Sequence, residues 1–269
     1  MRGASRASYA DLRERLDAVA VGPATSEQIG DQLFAVVGLL DNEHGLRRTL
    51  SDASKPPTEK AAVVAQLLHG RVSEATEGLV AAAAAGQWAT SNDFADALEQ
   101  LAIESYTLAA QHSRTLDDLE DDLFRFARVI AGQTGLRYAL VGTTSADAKA
   151  SLISSLLDNK VSDTSLTLIT QVLTHPRGRS PQAALDLAAG IAAQRRQQLV
   201  AVVRTAIELS AAQRQRLLTV LTDAYGQGIH LNVVYDPAVL GGMSVQIGDE
   251  LVDGTAASRL AEVRRKLAS

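Results

Sequence analysis

Apolar positions recur three and four residues apart from the start of the chain, where Tyr9, Leu12, Leu16 and Val19 share one helical face before Val21-Gly22-Pro23 breaks the run. Thr25 and Gln28 stand in capping-box spacing ahead of a second periodic run through Ile29, Leu33, Val36, Val37 and Leu40, which a turn at Asp41-Asn42 closes. Gly45 to Leu50 reads as a short helix. Pro56-Pro57 opens the next, where missing amide donors cost little because first-turn N–H groups have no intrahelical partner anyway, and Gly70 ends it. A helix from about Ser73 to Ala85 and a longer one carrying Trp88, Phe94, Leu98, Leu101 and Leu108 bring the count to six by residue 112.

The pattern then starts again, with Leu116, Leu119, Leu123, Phe126 and Ile130 on one face. The acids Asp117, Asp118, Glu120, Asp121 and Asp122 lie mostly opposite, which makes them the solvated face and favourable first turn of a helix rather than an acid–base or metal cluster. Asp31 to Leu50 aligns without a gap on Asp121 to Leu140, with seven of twenty residues identical, Gly45-Leu46-Arg47 among them. One residue out of that register, Lys60 to Thr76 falls on Lys149 to Ser165 with six identities in seventeen, including the lysine and a Val-Ser pair. Amphipathicity alone would align apolar with apolar; it gives no reason to repeat Gly-Leu-Arg, Lys and Val-Ser at a common offset, so the segment reads as a duplication.

From Leu199 the period changes to two. Leu199, Ala201, Val203 and Thr205 alternate with Val200, Val202 and Arg204 as in a strand. Ser210 and Gln213 form a capping box before Leu217, Leu221 and Ala224, a helix that ends at Gly226. Ile229 to Tyr235 reads as a strand ending at the turn signal Asp236-Pro237. Met243, Val245 and Ile247 form another, which Gly248-Asp249 turns into Glu250-Leu251-Val252. Thr255 caps a closing helix with Arg264, Arg265 and Lys266 at its C-terminal end. The expected fold is mainly α: two related helix bundles of about six helices each, over 1–113 and 114–198, the second repeating about 28–112, and a small C-terminal α/β module over 199–269.

Composition narrows the chemistry. The longest apolar stretch, Leu79 to Ala85, falls far short of the roughly 20 residues a spanning helix needs, and no apolar segment follows Met1 to Arg6 as in a secretory signal. A chain without cysteine has no disulfide, thiolate zinc site or cysteine nucleophile. A net charge of -5 argues against a dedicated nucleic-acid binder, and the basic pairs at Arg195-Arg196 and Arg264-Arg265 sit at helix ends where cations complement the dipole. Gly241-Gly242 and Gly248 lack the lysine and following helix of a phosphate loop. His44, His69, His112, His175 and His230 are scattered, and no serine lies in a nucleophile elbow. The sequence therefore predicts no catalytic residue, no cofactor and no metal.

The run Asp236-Pro237-Ala238-Val239-Leu240-Gly241-Gly242, then Gly248-Asp249, then Asp253-Gly254-Thr255 and Arg259 resembles the C-terminal signature of the delta subunit (OSCP) family of F-type ATP synthases. Val239-Leu240 stands for the family's Leu-Ile, and Thr255 for its usual serine. Ser5 to Ala10 is similar to the family's opening helix, although an ordinary member has one bundle where this chain carries two. The resemblance implies a non-catalytic stator subunit on the cytoplasmic face of the membrane, peripheral and not inserted. Its helical bundle would grip alpha subunits of the catalytic head, and its C-terminal module, through the signature residues, would clasp the b subunits. A generic helical adaptor is the alternative that the bundles alone would allow; the Asp-Pro to Asp-Gly signature separates the two.

Overall fold

The computed structural model describes residues 3–142, 145–196, 199–207, 209–225, 229–236, 239, 242–247 and 250–253. They fall into two compact units, residues 1–193 and 194–269. The first is helical: α1 (Ala4–Val19), α2 (Pro23–Asn42), α3 (His44–Ser51), α4 (Pro57–Leu68), α5 (Glu74–Ala85), α6 (Ser91–His112), α7 (Leu116–Gly132), α8 (Thr134–Val141), α9 (Ala146–Leu157), α10 (Asp163–Thr174) and α11 (Pro181–Arg196). The second, among the described residues, is an α/β sandwich of one helix, α12 (Ala211–Tyr225), on a sheet of β1 (Leu199–Thr205), β2 (Ile229–Tyr235), β3 (Met243–Ile247) and β4 (Glu250–Asp253).

The internal repeat is legible helix by helix. Both ends of α8 lie 90 residues after those of α3, both ends of α9 lie 89 after α4, and both ends of α10 lie 89 after α5. Burial follows the same register. Ile29, Leu33, Val36, Val37 and Leu40 of α2 are buried, and so are Leu119, Leu123, Phe126, Ala127 and Ile130 of α7. Lys60 and Lys149 are buried at matching positions, and burial lowers the pKa of the Lys60 ammonium although Asp52 opposes the shift. Gly70 and Asn159, which follow α4 and α9, both adopt positive φ, +72° and +55°, the left-handed stop that Gly and Asn tolerate best.

A polar knot is duplicated as well. The Gln32 amide oxygen accepts from the Ser73 backbone N–H (3.0 Å), the Ser73 hydroxyl (2.9 Å) and the Thr76 hydroxyl (2.7 Å), tying α2 to the N-terminus of α5. Ninety residues on, Asp122 of α7 takes a hydrogen bond from Ser165, whose backbone N–H donates to the Ser162 cap of α10 (3.1 Å). Burial raises the Asp122 pKa despite Ser165 and Arg125, and the neighbouring Asp118 and Asp121 push the same way as burial.

The two sets, expected at about six helices each, are not independent of one another. Among the described residues the second set has five of its own, α7–α11, and α6 supplies the sixth by serving both sets. On one side α6 packs against α1, α2, α3 and α5; on the other it packs against α7 and α10, standing to α10 as α1 stands to α5. Phe94 through Ala110 are almost all buried, so this helix is hydrophobic or satisfied all round, as a wholly enclosed helix must be. The expected boundary at 113/114 coincides with the turn between α6 and α7, and the apolar core runs on across it from Leu12 to Ala192.

The α2–α6 crossing is close because Gly30 has no side chain: a Cβ there would lie 2.6 Å and 2.8 Å from the Tyr106 ring. Tyr106 cannot easily give way, since it packs on Phe34 and its hydroxyl donates to Asp31. Gly38, two turns along the same helix, has open space around its would-be Cβ. Gly30→Ala is expected to lower stability by about 1–3 kcal/mol through overpacking, whereas Gly38→Ala should raise it by about 0.5–1 kcal/mol through helix propensity. Urea unfolding of the two variants separates these outcomes. The raised Asp122 pKa gives a second expectation. The fold favours the protonated carboxyl, so stability falls as pH rises from the unfolded value of 3.8 through the raised folded one. Asp122→Asn, which restores the neutral amide found at position 32, should melt higher than the parent at pH 7 by about 1–3 °C, and the gain should close as the pH is lowered toward 4.

Candidate partner-binding surfaces

In the C-terminal unit the strand order is β2-β1-β3-β4, with β1 parallel to β2 and antiparallel to β3. Alternation sends Ala201, Val203 and Thr205 inward, and Ala201 and Val203 join Leu209, Ile229, Val245 and Ile247 in a small core against Leu217, Leu218 and Leu221 of α12. This core is separate from that of the helical unit. The signature residues that the structure describes gather at one end of the sheet, where β1 finishes. The Asp236 N–H donates to the Thr205 carbonyl (2.9 Å) and the Asp236 carbonyl accepts from Val239 N–H (3.1 Å), so the chain turns back immediately after β2. Gly242 enters β3 with φ +87°, a conformation side chains disfavour. Asp253 ends β4 opposite Ser244, next to the same strand entry. Pro237, Leu240, Gly241, Gly248, Gly254, Thr255 and Arg259, like the closing helix expected from Thr255, lie outside the described residues.

The helical unit carries a charged seam between the two repeats that periodicity did not expose. The turn after α10 puts Arg177 (φ +49°) and Gly178 (φ +76°) in left-handed geometry, which turns Arg177 and Arg179 onto α2 and α6. Arg177 Nε donates to Asp41 (2.8 Å) and its Nη1 to Asp96 (2.7 Å) and Glu99 (2.9 Å). Arg179 Nη1 donates to both Glu99 oxygens, at 2.6 Å and 2.8 Å. Burial works against the Arg177 charge, but Glu99, Asp41 and Asp96 outweigh it and hold the guanidinium pKa above its ordinary value. A cleft of about 510 Å³ opens beside these groups, lined also by His44, Arg47 and Asn92. A second, shallower groove of about 620 Å³ runs between α9 and α10, bordered by Ser151, Ser154, Ser155, Thr167 and Thr170.

Both surfaces offer hydrogen bonds and shape. Among the described residues no group of three or more His, Asp or Glu is placed to hold a metal, and no helix is long and apolar enough to cross a membrane. The acidic run of α7 divides: Asp122 is buried in the polar knot, while Asp117, Asp118 and Asp121 face outward, with Arg125 on Asp121 (2.9 Å). The seam arginines were missed because the signal is local and brief. Pro176 and Pro181 bracket Arg177-Gly178-Arg179, which marks a turn, but nothing in the spacing tells that turn which acids it meets.

Residues 91–267 match the family described as ATP synthase delta (OSCP) subunit, so the match begins at the first residue of α6 and runs through the second repeat and the α/β unit. The chain is 43% identical over 269 residues to ATP synthase subunit delta of Thermobifida fusca, covering all of both chains. It is similarly 43% identical over 270 residues to that of Streptomyces griseus and 41% over 274 to that of Acidothermus cellulolyticus, again across the whole of each. Relatives of the same full length carry the first repeat too, and with the signature, the helical core and the sheet accounted for, the chain belongs to the ATP synthase delta (OSCP) family.

Proposed function

We propose that this chain is the non-catalytic peripheral-stalk subunit of an F-type ATP synthase. The helical unit holds alpha subunits of the catalytic head, and the α/β unit clasps the b subunits at the cytoplasmic face of the membrane. The observation that carries the reading is the full-length likeness to ATP synthase delta subunits. The physical demand is slow dissociation under load, which buried helix contacts supply and exposed ion pairs largely do not. Two separate cores suit such a link, since each unit can keep its own fold while gripping a different partner. The signature end of the sheet, with Asp236, Gly242 and Asp253 together, is the proposed clasp.

Membranes stripped of catalytic heads and re-supplied with heads, with or without this subunit, test the reading. With it, ATP hydrolysis should drive proton pumping; without it, hydrolysis should continue while pumping fails. A chain lacking residues 199–269 should fold, bind the head and fail to restore pumping. Rescue by that truncation, or ATPase activity from the isolated subunit, would overturn the mechanism. Gly242→Val should cost about 1–3 kcal/mol from the imposed positive φ and weaken b-subunit binding. A melting temperature and b-subunit affinity equal to the parent's would remove Gly242 from the clasp.

A further inference from the structure

The turn between α10 and α11 completes a cleft that neither repeat holds alone. The space of about 510 Å³ at the seam takes Asp41, His44 and Arg47 from the end of α2 and the start of α3. Asn92 and Asp96 come from the beginning of α6, and Arg177 and Arg179 from the turn itself. In the register of the second repeat only Arg47 has a like counterpart, the exposed Arg137, while Ala131 and Thr134 stand for Asp41 and His44.

The acids of this cleft are engaged, whereas its donors are not exhausted. Asp41 accepts from Arg47 Nη1 (3.2 Å) on one oxygen and from Arg177 Nε (2.8 Å) on the other. Asp96 accepts from Arg177, and Glu99 from both arginines of the turn. The three carboxylates are thus matched by three guanidinium groups, and no formal negative excess is left to repel an anion. Arg47 Nε, by contrast, is buried without a hydrogen-bond partner. Arg177 spends its Nε and Nη1 on the acids and keeps Nη2, and Arg179 Nη2 stands 3.6 Å from Asp96, beyond a good hydrogen bond. Unmet N–H groups on a charged side chain are costly, and a ligand with several acceptor oxygens meets more than one of them at once. His44 is the first residue of α3 and Asn92 the second of α6, so the positive ends of two helix dipoles border the same space.

We propose that this cleft binds a phosphate group, either free inorganic phosphate or the phosphate of a nucleotide. Phosphate presents oxygens in several directions to guanidinium edges that approach from different elements, and the volume leaves room for a group attached to it. The acids in the wall select phosphate over sulfate, because hydrogen phosphate keeps an O–H that can donate to a carboxylate oxygen and sulfate has none. A ligand held by both repeats stabilises their junction, so occupancy is read as a higher melting temperature.

The test titrates the full chain with inorganic phosphate, with ATP and with sulfate, by calorimetry and by melting temperature, at an ionic strength held constant with sodium chloride. Phosphate or ATP should bind saturably and raise the melting temperature, and sulfate should bind about tenfold more weakly. Tighter binding of ATP, with phosphate competing, identifies a nucleotide as the source; binding of phosphate alone identifies the free anion. Arg47→Gln, which removes the unmet N–H, should weaken binding about tenfold, and Asn92→Ala on the exposed rim should weaken it less. Arg137→Gln, at the matching position of the second repeat, should leave it unchanged. Asn92→Ala keeps the test decisive if Arg47→Gln fails to fold. Absence of saturable binding for both phosphate and ATP overturns the site, and so does an equal response to sulfate or parent-like affinity in folded Arg47→Gln and Asn92→Ala.

Discussion

Everything in the helical unit depends on one helix being enclosed on all sides. From Phe94 to Ala110, α6 presents small or apolar residues to neighbours in nearly every direction, and the polar ones it keeps are bonded: Ser105 to Leu101 O, Thr107 to Glu104 O, Glu104 to Arg13. A helix of this kind cannot be left with one face in water without losing much of its burial, at roughly 25 cal/mol per Å². The first repeat therefore requires the second, and the second has no first helix of its own without α6. The family match to residues 91–267 likewise begins with α6, the helix that also closes the first repeat.

The helices and strands along the chain were legible because each is written in local periodicity, and local periodicity survives whatever the tertiary partners are. Leu33 and Leu123 must be buried in any arrangement of their helices. The sharing of α6 was not legible, because a run such as Phe94, Leu98, Leu101 and Leu108 marks one apolar stripe, while the stripe beside it consists of Ala95, Ala102 and Ala109, which read as helix formers rather than as core. Small residues at a crowded crossing carry little hydrophobic signal and much geometric consequence, and Gly30 is the extreme case.

The candidate surfaces divide in the same way. The C-terminal signature could be found as a string because its turns need particular residues at particular places, and Gly242 shows why, through its φ of +87°. The seam could not be found, since Arg177 and Glu99 are 78 residues apart and their meeting depends on how two whole bundles pack.

Arg177 and Arg179 have a mechanical consequence. An apolar contact resists separation but slides cheaply, because burial is non-directional and one close-packed arrangement can be exchanged for a neighbouring one. Glu99, by contrast, is gripped through both oxygens by two guanidinium groups, one of which also reaches Asp41 and Asp96, on two different helices. Moving one bundle past the other by even the width of an atom would strand buried charges, whose desolvation is costly when a partner is lost. The seam is therefore stiff to shear as well as to pulling, and the two repeats behave under a sideways load as a single rigid block.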